Sequence, residues 1–201
     1  MKKLFTIICV AIATMAGFSS CNTDDENEAR VLAGEWEGDW RMWYKDTHGN
    51  IWNAAMTRIR FNHEHRTSGT GLQVDYYRRG PYEYLYYKFD WEVRDGIIYL
   101  TYRHDHDLDS RIYDYTLSNT TFDGYFGSSR TFFSMDKIRD FHYWTPKLWV
   151  DSYYGYTEYV YGSKEYEGAL DSTEFEGVAG SKAYNAGELP QIVKRGSYLN
   201  E

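Results

Sequence analysis

The residues with the most obvious chemistry are two histidine pairs, His63-Glu64-His65 and His104-Asp105-His106. Side chains two positions apart on a strand point the same way, so each pair has the spacing to chelate a cation. Four imidazoles brought together would make a zinc site. Asp105, Asp107 and Asp109 have the alternate spacing that opens a calcium loop. However, Ser110 stands where that loop needs glycine and Thr116 where it needs a bidentate glutamate, so the run reads as a solvated acidic loop. Gly69-Thr70-Gly71 lacks the third glycine of a dinucleotide fingerprint and opens a strand rather than a helix. The chain has no Gly-x-Ser-x-Gly elbow and no His-Glu-x-x-His. Its many carboxylates include none on an inward face with an obvious acid/base partner. Catalytic residues, bound metal and cofactor are therefore all expected to be absent, and the chain is not read as an enzyme.

Whether the histidine pairs meet depends on the elements that carry them. From Leu32 the hydropathy alternates with period 2. Leu32, Gly34, Trp36, Gly38, Trp40, Met42 and Tyr44 share one face, and Ala33, Glu35, Glu37, Asp39, Arg41, Trp43 and Lys45 the other. A two-residue turn at His48-Gly49 pairs this strand with the next, setting Tyr44 opposite Asn53, Trp40 opposite Thr57, Gly38 opposite Ile59 and Trp36 opposite Phe61. Asp95-Gly96 is a favoured type I′ dipeptide and puts Val93 opposite Ile98, Trp91 opposite Leu100 and Phe89 opposite Tyr102. A further turn at Asn119-Thr120 sets Leu117 opposite Phe122, Tyr115 opposite Gly124 and Tyr113 opposite Phe126. With strands at Leu72–Arg78 and Arg130–Arg139, the count is eight between about residues 31 and 140, all joined by short connections. An eight-strand meander with one apolar face closes most economically into an all-β, antiparallel up-and-down barrel. In that topology the two histidine pairs lie at opposite ends, which argues against a shared metal site.

The chain has 201 residues, 22 basic and 30 acidic side chains and a formal charge of −8. Such an acidic surface repels phosphate backbones, so no nucleic-acid partner is expected. Aromatic residues make up 19% of the chain, with 21 Tyr and 7 Trp, which suits pleated sheets over helices. Met1–Lys3 form a basic start, and Leu4–Phe18 an apolar run of about 15 residues, short of the ~20 a spanning helix needs. Residues 1–20 are read as a removed leader, residues 21–30 as a flexible acidic tether, and 31–140 as the barrel. Residues 141–201 are read as an irregular Tyr/Gly-rich extension, partly disordered, with one or two strands within Trp149–Tyr161 and a mobile stretch from Ala183. Of the two cysteines, Cys9 leaves with the leader, so the remaining one has no disulfide partner.

The small residues Ser19-Ser20 before Cys21, behind the apolar run, resemble the lipobox of bacterial lipoproteins. That resemblance implies a lipid on Cys21 and membrane attachment through it, since two or three acyl chains give stable anchoring. The acidic cluster just after Cys21 resembles the surface-export signal of one phylum of Gram-negative lipoproteins. It implies an outer-membrane protein, on the cell surface or on the periplasmic face. Gly34-Glu35-Trp36 resembles the Gly-x-Trp signature of the lipocalins. Phe89–Leu100 with Tyr115-Thr116-Leu117-Ser118 resembles the compact lipocalin-like domains of bacterial lipoproteins. The likeness implies a floor at the Gly-x-Trp end, a mouth at the other, and an arginine from a late strand against Trp36, for which Arg139 is available.

Near that mouth, facing inward, the expected ligand-binding residues are Trp40, Tyr44, Tyr87, Tyr102, His104, Tyr113 and Phe126. An apolar cup with a few polar tips suits a small apolar molecule, yet the same side chains fill a closed barrel equally well. Aromatic platforms on the outside, at Trp43, Trp52 and Tyr99, would instead stack on a glycan. Two functions stay open: a lipid-anchored protein binding a small apolar ligand, or a structural or protein/glycan-interaction lipoprotein with a solid barrel.

Overall fold

The computed structural model describes residues 21–127, 130–140, 177–184 and 189–197. The expected leader, and the strands expected within Trp149–Tyr161, lie outside the described residues. One helix, α1 (Cys21–Leu32), precedes β1 (Gly34–Asp39), β2 (Met42–Asp46), β3 (Ile51–Asn53), β4 (Met56–His65) and β5 (Ser68–Tyr76). These are followed by β6 (Tyr82–Arg94), β7 (Ile97–Tyr102), a 3-10 turn (His106–Leu108), β8 (Ser110–Leu117), β9 (Thr121–Phe126) and β10 (Thr131–Asp140). Two later strands are β11 (Ala179–Ala183) and β12 (Ile192–Ser197).

Strands β1 and β4–β10 form a closed eight-stranded antiparallel barrel in meander order, sealed where β10 pairs with β1. The Asp95-Gly96 hairpin has the expected register, with Phe89↔Tyr102, Trp91↔Leu100 and Val93↔Ile98. Asp95 and Gly96 both take positive φ (55° and 68°), as a type I′ turn requires. In the first hairpin the register departs from the sequence reading. The long first strand breaks at Arg41, whose φ is 58°. The segment beyond folds away as a separate three-stranded sheet in the order β12-β2-β3. Freed from one continuous hairpin, β1 slips two residues along β4, giving Trp36↔Ile59 and Gly34↔Phe61. A shift of two preserves which face each side chain occupies. Asp46 anchors the small sheet by accepting from the backbone N–H groups of His48 and Asn50 (both 2.9 Å) and from Trp52 Nε1 (2.9 Å).

The polar run 21–30 is helix rather than flexible tether. Ala29 and Leu32, three residues apart on one face of the helix, are buried in the core. Asp25 accepts from the N–H groups of Asp95 and Gly96, both at 3.0 Å. The Glu28 carboxylate accepts from the Tyr115 hydroxyl. Lys137 Nζ donates to the terminal carbonyls of Val31 and Ala33 and lies 4.7 Å from the Trp36 ring centroid. Thus α1 closes the Gly34-x-Trp36 end, and the cation over Trp36 is Lys137, two residues before the expected Arg139. Asp25→Ala is expected to cost about 1–2 kcal/mol, because two part-buried hydrogen bonds from the turn N–H groups to a buried carboxylate are lost. Amide hydrogen exchange at Asp95 and Gly96 should accelerate in that variant, and unchanged protection there would show that α1 does not depend on this contact.

Within residues 141–201 the described segments form two strands, so the stretch expected to be mobile from Ala183 includes β12. β11 pairs with the first half of β6, where β7 no longer reaches. β12 pairs with β2, from Ile192↔Asp46 to Ser197↔Met42. Together β2, β3 and β12 lie at the barrel end opposite α1.

Candidate functional site

The middle of the barrel is an aromatic layer centred on Phe122. Its ring lies 5.7 Å from Trp36, 5.9 Å from Trp40, 6.5 Å from Phe61 and 4.9 Å from Phe133, centroid to centroid. Trp40 also meets Phe126 at 4.7 Å and Phe133 at 4.5 Å. These are edge-to-face and tilted contacts of the kind aromatic quadrupoles favour.

Above this layer, toward β2 and β12, the interior becomes polar, and β5 is the cause. Ile59↔Gln73, Thr57↔Asp75, Gln73↔Tyr87 and Gly71↔Phe89 are direct pairs, so β5 turns Gly69, Gly71, Gln73 and Asp75 inward. Leu72 and Val74 point outward, where they are buried with Tyr84 and Tyr86 in a second cluster. Gly71 is required: a Cβ there would lie 2.0 Å from Phe89 Cζ.

Beside these glycines sits a hydrogen-bonded chain. The Tyr102 hydroxyl donates to Gln73 Oε1. Gln73 Nε2 donates to both Asp75 oxygens (3.0 and 2.9 Å), and Thr57 Oγ1 donates to Asp75 Oδ1 at 2.6 Å. Asp75 is 1% exposed. Burial pushes its carboxyl up to about 7, against the opposing pull of the Thr57 and Gln73 hydrogen bonds and the Arg195 charge. Burial likewise raises the Tyr77, Tyr87 and Tyr102 hydroxyls. Arg195 of β12 reaches in with its guanidinium carbon 4.9 Å from the Tyr87 ring centroid and its Nε 4.0 Å from Asp105 Oδ2. Tyr44 packs edge-to-face on Tyr77 (4.8 Å) and Tyr82 (5.6 Å). Its buried hydroxyl makes no hydrogen bond of good geometry among the described residues.

The seven expected ligand residues divide three ways. Trp40 and Phe126 belong to the middle layer. Tyr44, Tyr87 and Tyr102 meet at the polar end. His104 and Tyr113 join neither: His104 is exposed beyond the end of β7, and Tyr113 turns outward. Asp114 takes φ 47°, and the β8–β9 register shifts between Tyr113 and Thr116. That bulge brings Ile112 inward opposite Phe126 and sets Tyr113 opposite Tyr125, while Leu117↔Phe122 holds as expected. Sequence reasoning missed Thr57, Gln73, Asp75 and Arg195. The signal was the run Leu72-Gln73-Val74-Asp75, whose alternation gives the wrong face when the apolar residues are taken as inward.

Of the other candidates, His63 and His65 lie at the α1 end of β4, and His104 and His106 at the opposite end. Among the described residues no three His, Cys, Asp or Glu side chains converge as a metal site. Asp105 and Asp109 serve the local backbone, accepting from Asp107 N (3.3 Å) and Tyr102 N (2.7 Å). Trp43 and Trp52 are engaged by Ser197 O (2.8 Å) and Asp46, and Tyr99 lies between Arg94 (4.6 Å) and Arg111 (5.6 Å). No helix among the described residues is long and apolar enough to cross a membrane.

No family model matches the chain, and neither does any curated protein. Among solved structures it is similar to a redesigned β-barrel, at 14% identity and a TM-score of 0.34, over 59% of this chain and 96% of that one.

Proposed function

We propose that this chain is a non-enzymatic, lipocalin-like envelope protein. In this reading it is held at the outer membrane by a lipid on Cys21 and binds a small, aromatic-stacking ligand at the barrel end formed by Tyr44, Tyr87 and Tyr102. One observation carries the binding reading: the inward Asp75–Gln73–Thr57–Tyr102 chain. A core built only for stability gains nothing from a buried carboxyl, which costs free energy wherever it is placed in a dry interior. Convergent polar groups beside aromatic walls are what orient a ligand in an apolar site. The lipobox-like Ser19-Ser20-Cys21 behind its apolar run supports the anchor. A glycan- or protein-interaction role with a solid barrel has its own support in the ring-to-ring packing around Phe122 and in exposed Tyr125 and Phe132. These two rings meet 5.4 Å apart on the outer face.

Both parts can be tested. The full-length chain should carry radioactive palmitate and float with membranes, and Cys21→Ser should do neither. A membrane-bound, palmitate-labelled Cys21→Ser protein would end the anchor reading. A melting-temperature screen of fatty acids, sterols, haem and oligosaccharides should return a stabilising compound. Tyr87→Ala should weaken that compound's binding by about 1–3 kcal/mol through lost burial. A stabilising oligosaccharide whose effect survives Tyr87→Ala but not Phe132→Ala would favour the outer face instead.

A further inference from the structure

We propose that the barrel end beneath β12 is a seat for an organic cation, filled by the chain's own Arg195, and that a small guanidinium or ammonium compound takes it when that arginine is withdrawn. The inference rests on the ligand-binding reading above and narrows it to a class of compound.

The walls of the seat are aromatic. Tyr44, Tyr77, Tyr82, Tyr87 and Tyr102 converge there from β2, β5–β6, β6 and β7, and ring faces attract cations through their quadrupole. Its rim carries Asp105 and its floor Asp75, which ionises above about 7. Asp75 lies below, with its hydrogen-bond donors aimed at the carboxylate oxygens, and Asp105 stands at the edge beside Arg195. Among the described residues no lysine or arginine nitrogen forms an ion pair with Asp75, so Arg195 approaches it without neutralising it directly. A planar guanidinium stacked on Tyr87 is the arrangement that suits such a surface, and Arg195 adopts it.

The resident arginine is carried at the margin of the small sheet, where Trp43 Nε1 and the Tyr82 hydroxyl donate to the carbonyls of Ser197 and Pro190 at either end of the segment. β12 is an edge strand, six residues long, that pairs with β2 alone. Its register already slips between Ile192 and Lys194. Arg195 lies opposite Tyr44, the residue whose buried hydroxyl lacks a good partner. A ligand with a donor beside its cationic group would satisfy that hydroxyl as well as fill the seat.

The test uses Arg195→Gln, which shortens the side chain, so that it withdraws from the Tyr87 ring, and removes the charge. Methylguanidinium chloride should raise the melting temperature of Arg195→Gln by about 4 °C or more once its concentration is about ten times Kd. It should leave the wild-type chain unmoved, with sodium chloride as the ionic-strength control. Adding Asp75→Asn to Arg195→Gln should abolish the rise. An equal rise in the wild type or in the double variant overturns the seat, as does no rise in Arg195→Gln. If Arg195→Gln gives no cooperative melt, the wild-type chain decides by NMR. The Arg195 side-chain resonances should show a ring-current displacement that Tyr87→Leu removes, and resonances at ordinary positions overturn the proposal. A neutral aromatic compound that stabilises the wild type while methylguanidinium fails on Arg195→Gln removes the cation seat and leaves the ligand-binding reading standing. Silence from every compound removes both.

Discussion

Raising the pH from about 4 to about 8 should lower the stability of this protein, and Asp75→Asn should remove most of that loss. In the unfolded chain Asp75 ionises near the ordinary 3.8, whereas in the barrel its carboxyl is pushed up to about 7. Between those values the folded state holds a proton that the unfolded state has released. Stability therefore falls as pH rises through the window and levels off above about 7. A difference of about 3 pK units sets an upper limit of about 4 kcal/mol on the effect. Other carboxylates act in the opposite sense. Glu26, held below its usual value by Arg66 and Arg30, adds stability that is lost as the pH falls below the carboxylate range. The difference between wild type and Asp75→Asn isolates the one group. Urea titrations of both proteins across the range make the measurement. Parallel stability profiles would mean that Asp75 is ionised throughout, with the Thr57 and Gln73 hydrogen bonds outweighing its burial.

Phe122→Ala should be among the most damaging single substitutions, at about 3–5 kcal/mol. Phe122 is fully buried and touches Trp36, Trp40, Phe61, Tyr115 and Phe133, so removing its ring opens a void with large, rigid walls. Those neighbours come from four other strands of a closed sheet and, for Trp40, from the link after β1, and have little freedom to collapse inward. Phe132→Ala on the outer face, where the ring is 43% exposed, should cost about 1 kcal/mol or less. The pair of denaturation midpoints checks both. A loss below about 1 kcal/mol for Phe122→Ala would show that the interior relaxes readily, which a tightly filled barrel cannot do.

The legible parts of this fold are those governed by short-range rules. Asp95-Gly96 has one favoured turn geometry, and that geometry alone sorts six residue pairs of β6 and β7 correctly. Strand count, meander order and closure follow from short connections and one apolar face. What stayed hidden is set by partners distant in sequence. β5 shows its polar face inward because its register against β4 and β6 leaves no other choice, and alternation within the strand points the opposite way. The bulge at Asp114 has no glycine to announce it. The acidic run 21–32 is nearly devoid of apolar side chains, and its helix depends on capping a hairpin 70 residues away through Asp25. Of the candidate site, the three tyrosines were visible as inward positions. Asp75 and Arg195 were not, because one lies on the reversed strand and the other beyond the barrel altogether.

The closure of β10 on β1 carries a consequence for how the chain acquires its structure. Gly34 pairs with Asp140, so the first barrel strand has no second neighbour until the last has been made. In vectorial synthesis β1 waits through about 100 residues with one ladder of N–H and C=O groups unsatisfied, as does each strand that is newest at the time. Long-range pairings of this kind give high contact order, slow folding and a prolonged period in which an open edge can recruit another chain. The small β12-β2-β3 sheet forms later still, since β12 lies beyond the completed barrel. The end that holds Asp75 and Tyr87 is thus the last part of the molecule to be covered, after the α1 end has been sealed by residues made at the start.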